Sequence, residues 1–238
     1  MNLYEKYVYR QLDDWRRDIL KQAGMLEKVS KGIQTKTQSV IPAKVQNAVT
    51  AAIEKMVQTI LSGSGLLTIQ EDTGGLSLGE RDFLVTECFQ RYKKAAVAQG
   101  VGLGAGGMLL GLADLPTLMS IKIKFLFDTA KLYGYDTQDK NERLFMLHIF
   151  QLAFSGREHR LQTFYTLERW DDLDHSAIDW EKFQLEYRDY IDIAKLLQLL
   201  PLVGSVAGGT ANYKLMQRLK VNAMNCYRMR ILGRKWKE

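Results

Sequence analysis

Between Ala95 and Ala113 the chain runs nineteen residues without a charge, and six of them are glycine: Gly100, Gly102, Gly104, Gly106, Gly107 and Gly111. Three pairs stand four apart, Gly100/Gly104, Gly102/Gly106 and Gly107/Gly111, the spacing that clears one helix face for another backbone. Each glycine costs a helix about 1 kcal/mol relative to alanine. A helix with this many either recovers that cost in close contact or is not one continuous helix. A shorter copy, LLPLVGSVAGGTANY at 199–213, repeats the spacing with Gly204 and Gly208. Two glycine-rich helical hairpins packed together are therefore expected, with Gly104 and Gly107 near Gly204 and Gly208.

Two other uses of such a stretch are weaker. Nineteen uncharged residues approach the roughly 20 that a bilayer span needs. Its large apolar members, however, are only Val97, Val101, Leu103, Met108, Leu109, Leu110 and Leu112. At about −0.3 to −0.6 kcal/mol apiece their gain is small, and the glycines offset much of it. A buried helical pair is expected ahead of a span. GVGLGAGG contains G-x-G, but no strand precedes it and no Gly-Lys-Ser/Thr follows, so it is not a phosphate loop.

Three prolines in 238 residues, with few β-branched runs, point to helices. The apolar and charged fractions, 46% and 25%, are those of a globular chain. Cys88 and Cys226 stand alone, which suits a reducing compartment rather than a disulfide framework. The first residues, MNLYEKYVYRQLDDWRRD, hold no apolar segment of a signal peptide. The expected place is cytoplasmic.

In chain order, Tyr4, Val8, Leu12, Trp15 and Ile19 mark an amphipathic helix over 3–22. Pro42 suits the first turn of a second, with Val45, Val49, Ile53, Met56 and Ile60 inward. Ser77 and Glu80 have capping-box spacing and open a third helix through Phe83, Leu84, Cys88 and Tyr92. Asp114 and Pro116 break and restart the chain into a mostly apolar helix over 116–133, which Gly134 ends. Asp136 or Thr137 caps the next helix, through Leu144, Leu147 and Phe150. Helices over 158–170 and 180–199 follow, and a basic amphipathic helix closes the chain. The fold class is all-α, one domain over 1–238, with N-terminal helices over 1–61 and a glycine-zipper core from 80 onward.

The runs GLGAGGMLLGLADLPTLM, LYGYDTQDKNERLFML and LPLVGSVAGGTANY together resemble the bacterial EcsC family. The likeness covers roughly 80–235 on these motifs, and the N-terminal helices suggest that it extends over the whole chain. It implies a protein encoded beside the subunits of an ABC transporter, acting on secretion and membrane proteolysis. The resemblance supplies a neighbourhood and no reaction.

Candidate functional residues are few. His148, within LFMLHIF, reads as a satisfied core histidine, and His175 beside Asp171, Asp172 and Asp174 as a solvated acidic loop without metal-ligand spacing. No catalytic residue, metal site or cofactor is assigned. Asp114 is the one charge between Ala95 and Ile121, so it is an N-cap or a buried acid with raised pKa. Asn212 is the matching polar residue in the second glycine segment and Arg218 the candidate partner for the charge, the three together as ligand or partner contacts. From Ala211 to Glu238, eight Lys or Arg face one Glu, a balance of +7 against +6 for the whole chain. Apolar residues interleave with these cations. An anionic membrane surface, met by Arg228, Arg230, Arg234 and Lys235, fits better than nucleic acid. The expected function is a non-enzymatic accessory protein at the inner membrane face, partnered by transporter subunits or other membrane proteins. A carrier or hydrolase of lipid-like ligands, with an apolar pocket near Asp114, is the alternative.

Overall fold

Ser77 and Glu80 close the capping box that their spacing predicts. The Ser77 backbone N–H and hydroxyl donate to Glu80 Oε2 at 2.8 and 2.7 Å. In return the Glu80 N–H donates to Ser77 Oγ at 3.4 Å. These bonds hold the Glu80 carboxyl below its usual pKa. The computed structural model describes residues 1–29, 43–63, 73–104, 115–174 and 205–233. Among them are seven α-helices: α1 (Leu3–Val29), α2 (Ala43–Ser62), α3 (Leu78–Gly104), α4 (Leu115–Leu132), α5 (Lys140–Phe154), α6 (Arg157–Glu168) and α7 (Ser205–Leu232). A 3₁₀ turn, Trp170–Asp172, follows α6. The fold is all-α.

Gly134 ends α4 as expected. It sits at φ +87°, its N–H donates to Lys131 O at 2.8 Å, and the Tyr135 N–H reaches Ala130 O at 3.0 Å. This pair of bonds is a Schellman close, and only glycine adopts its backbone without strain. Arg81 adds a donor there, with Nη1 3.5 Å from Leu132 O, while Nη2 holds Thr73 O at 2.9 Å.

One local expectation is corrected. Asp139, not Asp136 or Thr137, caps α5, its carboxylate accepting from the Asn141 N–H at 2.9 Å. Asp136 instead turns the chain through the Gln138 N–H, and Thr137 is buried. Phe83 faces outward from α3. It is 64% exposed, because α3 turns Asp82, Val85, Cys88, Phe89 and Ala96 to the core instead.

The closing helix is the larger correction. α7 packs chiefly on α3 and also touches α1, α4, α5 and α6. From Asn222 to Tyr227 every residue is buried. A helix enclosed on all sides is a core helix. The same core cluster holds Phe125, Phe127, Phe145, Phe150, Phe154 and Phe164, all fully buried, each contributing about 1.5–3 kcal/mol on leaving water.

Gly100, Gly102 and Gly104 fall in the last turns of α3, and Gly208 in the first turn of α7. Gly106, Gly107, Gly111, Gly204 and Asp114 lie outside the described residues, and so does the expected meeting of the glycine segments. No described helix is long and apolar enough to cross a membrane.

Candidate functional site

Arg228 and Arg230 stand two apart on α7, about 200° around a helix of 3.6 residues per turn. They therefore point to different sides. Arg228 meets α3: its Nε lies 3.1 and 3.0 Å from the Asp82 carboxylate oxygens, and Nη2 lies 3.0 Å from Oδ2. Asp82 is buried and also accepts from the Tyr4 hydroxyl at 2.6 Å and from the Tyr133 hydroxyl. Nη1 of Arg228 reaches Gln11 Oε1 and Asn225 Oδ1.

Arg230 meets α5. Its Nη1 donates to Glu142 Oε2 at 2.7 Å, and the Tyr227 hydroxyl donates to Glu142 Oε1 at 2.6 Å. The guanidinium lies over the rings of Tyr135 and Phe145, 4.1 and 4.4 Å from their centroids. Tyr227 stacks on Tyr133 at 5.2 Å and leans on Tyr135 at 5.1 Å. Two polar clusters, one on Asp82 and one on Glu142, joined through the stacked rings of Tyr133 and Tyr227, thus tie α1, α3, α5, α7 and the turn after α4.

Burial raises the Glu142 pKa, while the charge of Arg230 and the Tyr227 hydrogen bond oppose the rise. Arg228 and Arg230 are lowered by burial but held above the usual arginine range by their carboxylate partners. Only 12% of either arginine side chain is exposed. This corrects the assignment of Arg228 and Arg230 to a membrane surface: their charge is spent inside the fold. Arg234 and Lys235 lie outside the described residues.

From this network an open cleft of about 910 Å³ leads outward. Tyr9 and Arg16 of α1 form one wall; Glu168, Trp170 and Asp171 form the other, with Tyr135 and Arg230 between. Ion pairs cross it, Arg16 Nε to Glu168 Oε1 at 2.6 Å and Arg230 Nε to Asp171 Oδ1 at 3.3 Å. Such a cleft can exchange its internal pairs for those of a charged partner. Among the described residues no group of His, Cys, Asp and Glu is arranged to hold a metal ion. His148 is half-buried, its Nδ1 3.1 Å from Gln151 Oε1 and its ring edge-on to Trp170. His175 lies outside the described residues.

The remaining candidates separate. Asn212 is buried, with no partner for its Nδ2 among the described residues. Arg218, on the same helix, lines a second cleft that does not include Asn212. Sequence reasoning missed Asp82 and Glu142 as sites, although Tyr133, Tyr135 and Glu142 lie inside the quoted run LYGYDTQDKNERLFML. A buried acid flanked by tyrosines was the available signal.

Comparison with known proteins places the chain among relatives. The profile of the EcsC protein family matches residues 6–232. "Protein EcsC" of Bacillus subtilis (strain 168) is 45% identical over 219 residues, covering 92% of each chain. "Uncharacterized protein YdbA" of the same organism is 31% identical over 150 residues, 60% of this chain and 55% of that one. No solved structure matches the chain.

Proposed function

The chain belongs to the EcsC protein family, and from that premise we propose a non-enzymatic accessory protein at the cytoplasmic face of a cell membrane, serving an ABC transporter. The observation that carries this reading is the 910 Å³ cleft. Two ion pairs, Arg16 with Glu168 and Arg230 with Asp171, already cross it, which suits docking rather than proton transfer. A polypeptide with its own charges can replace those pairs without stranding any of them. The carrier or hydrolase alternative centres on Asp114, outside the described residues, and neither described cleft is an enclosed apolar cavity. The accessory reading is preferred.

With Arg228 and Arg230 internal, attachment falls to the transporter and to the cations still at the surface, such as Lys214. Cell fractionation checks this. In cells that carry the transporter, the protein should sediment with membranes and leave them in a high-salt wash, because exposed charge contacts are screened. In cells lacking the transporter subunits the sedimenting share should fall several-fold. Equal retention in both strains, or release by detergent alone, contradicts the proposal.

A further inference from the structure

A second cleft, of about 320 Å³, opens where α1, α6 and α7 meet. Arg160, Lys214 and Arg218 bring three cations to its walls against one carboxylate, Asp18, a local balance of +2. Trp15 and Val221 supply apolar walls. The Arg218 side chain is half-buried, and among the described residues nothing pairs with its guanidinium. Burial lowers the pKa of Arg218, and burial followed by the charge of Arg218 brings Arg160 down to about 10. The Arg218 guanidinium has thus lost part of its solvation with no anion among the described residues paired to it.

Asn222 adds a second, independent sign. It is 2% exposed and lines the same cleft. Its Nδ2 donates to Arg218 O at 2.7 Å, which fixes the direction of the amide. Oδ1 is then left buried with no donor among the described residues. An orphaned acceptor of this kind costs about 1–3 kcal/mol. Among the described residues, the cleft thus leaves the Arg218 guanidinium without a paired anion and Asn222 Oδ1 without a donor.

We propose that this cleft binds a phosphate-type oxyanion, with Arg218 and Lys214 on the phosphate oxygens and Asn222 Oδ1 accepting from a hydroxyl on or next to the phosphate. Guanidinium matches such an oxyanion through paired N–H donors. Phosphate monoesters and phosphoglycerol lipid headgroups share this chemistry. The assignment does not depend on the accessory role proposed above.

Titration calorimetry of the full chain with inorganic phosphate and with glycerol phosphate tests the site, with sodium chloride at matched ionic strength as the blank. A parallel flotation assay uses vesicles with and without phosphatidylglycerol. Saturable binding of the soluble esters identifies a free phosphate compound as the ligand. Binding confined to phosphatidylglycerol vesicles identifies the headgroup. In whichever assay binds, Arg218→Gln should weaken affinity at least tenfold, while Asp18→Asn should strengthen it a few-fold by removing the opposing charge. Thermal melting of Arg218→Gln should match or exceed the parent, because no partner is stranded. Absence of binding in every assay overturns the proposal, and so does binding that Arg218→Gln and Asp18→Asn leave unchanged.

Discussion

Arg228→Gln is expected to lower the free energy of unfolding by about 3–5 kcal/mol, the usual cost of leaving a buried charge without its partner. Asp82 would keep its two phenol donors but lose the guanidinium that spans both its oxygens. An exposed arginine on a basic helix would change stability by less than about 1 kcal/mol. Reversible denaturant titration separates the two cases, with the slope unchanged and the midpoint shifted. Arg230→Gln should behave similarly through Glu142, and it also removes the cation from between Tyr135 and Phe145.

Alkaline pH should unfold the protein steeply above pH 10. Burial first, and then the neighbouring carboxylates Asp82 and Glu142, hold the Tyr133 and Tyr227 phenols well above their usual pKa. Both pKa values are raised in the folded state, so this stability is complete below about pH 10 and drains away as the unfolded chain ionises. Each phenol contributes about 1.4 kcal/mol per pH unit, so the two together lose about 3 kcal/mol per unit. Tyr92, raised by burial and its bond to Asp128, adds to the loss. Other groups run the opposite way. Lys122, lowered by burial to about 8, favours folding as pH rises from 8, and Arg160, lowered to about 10, does so above 10. The Cys226 thiol, raised by burial, offsets Lys122 near pH 9. Stability followed by circular dichroism should stay nearly level from pH 8 to 10 and then fall. A protein equally stable at pH 11 contradicts the buried-phenol network.

Local signals were readable in the sequence and distant pairings were not. Ser77 and Glu80 act across three residues, and Gly134 acts on its own turn, so both features were visible in short windows. The apolar spacing of Val8, Leu12 and Ile19 likewise named a buried face correctly. Arg228 and Asp82 are 146 residues apart, and Arg230 and Glu142 are 88 apart. No local pattern distinguishes a cation with such a partner from one in water. Cations at 214, 218, 220, 228 and 230 looked like one basic surface because charge was counted along the chain rather than around the helix. Tyr133, Tyr135 and Glu142 were noticed as a motif, but their common role needed Tyr227, which lies 85 residues from Glu142.

The claim on which the rest stands is that the α7 arginines clamp the fold from inside, leaving recognition to the clefts. A double-mutant cycle on Asp82 and Arg228 measures this directly, using Asp82→Asn, Arg228→Gln and the double variant in the same denaturant titration. An interior clamp gives a double variant less destabilised than the sum of the singles, with a coupling of about 2–3 kcal/mol. Single effects that add to within about 0.5 kcal/mol would show that the two residues do not act on each other, and would contradict the clamp.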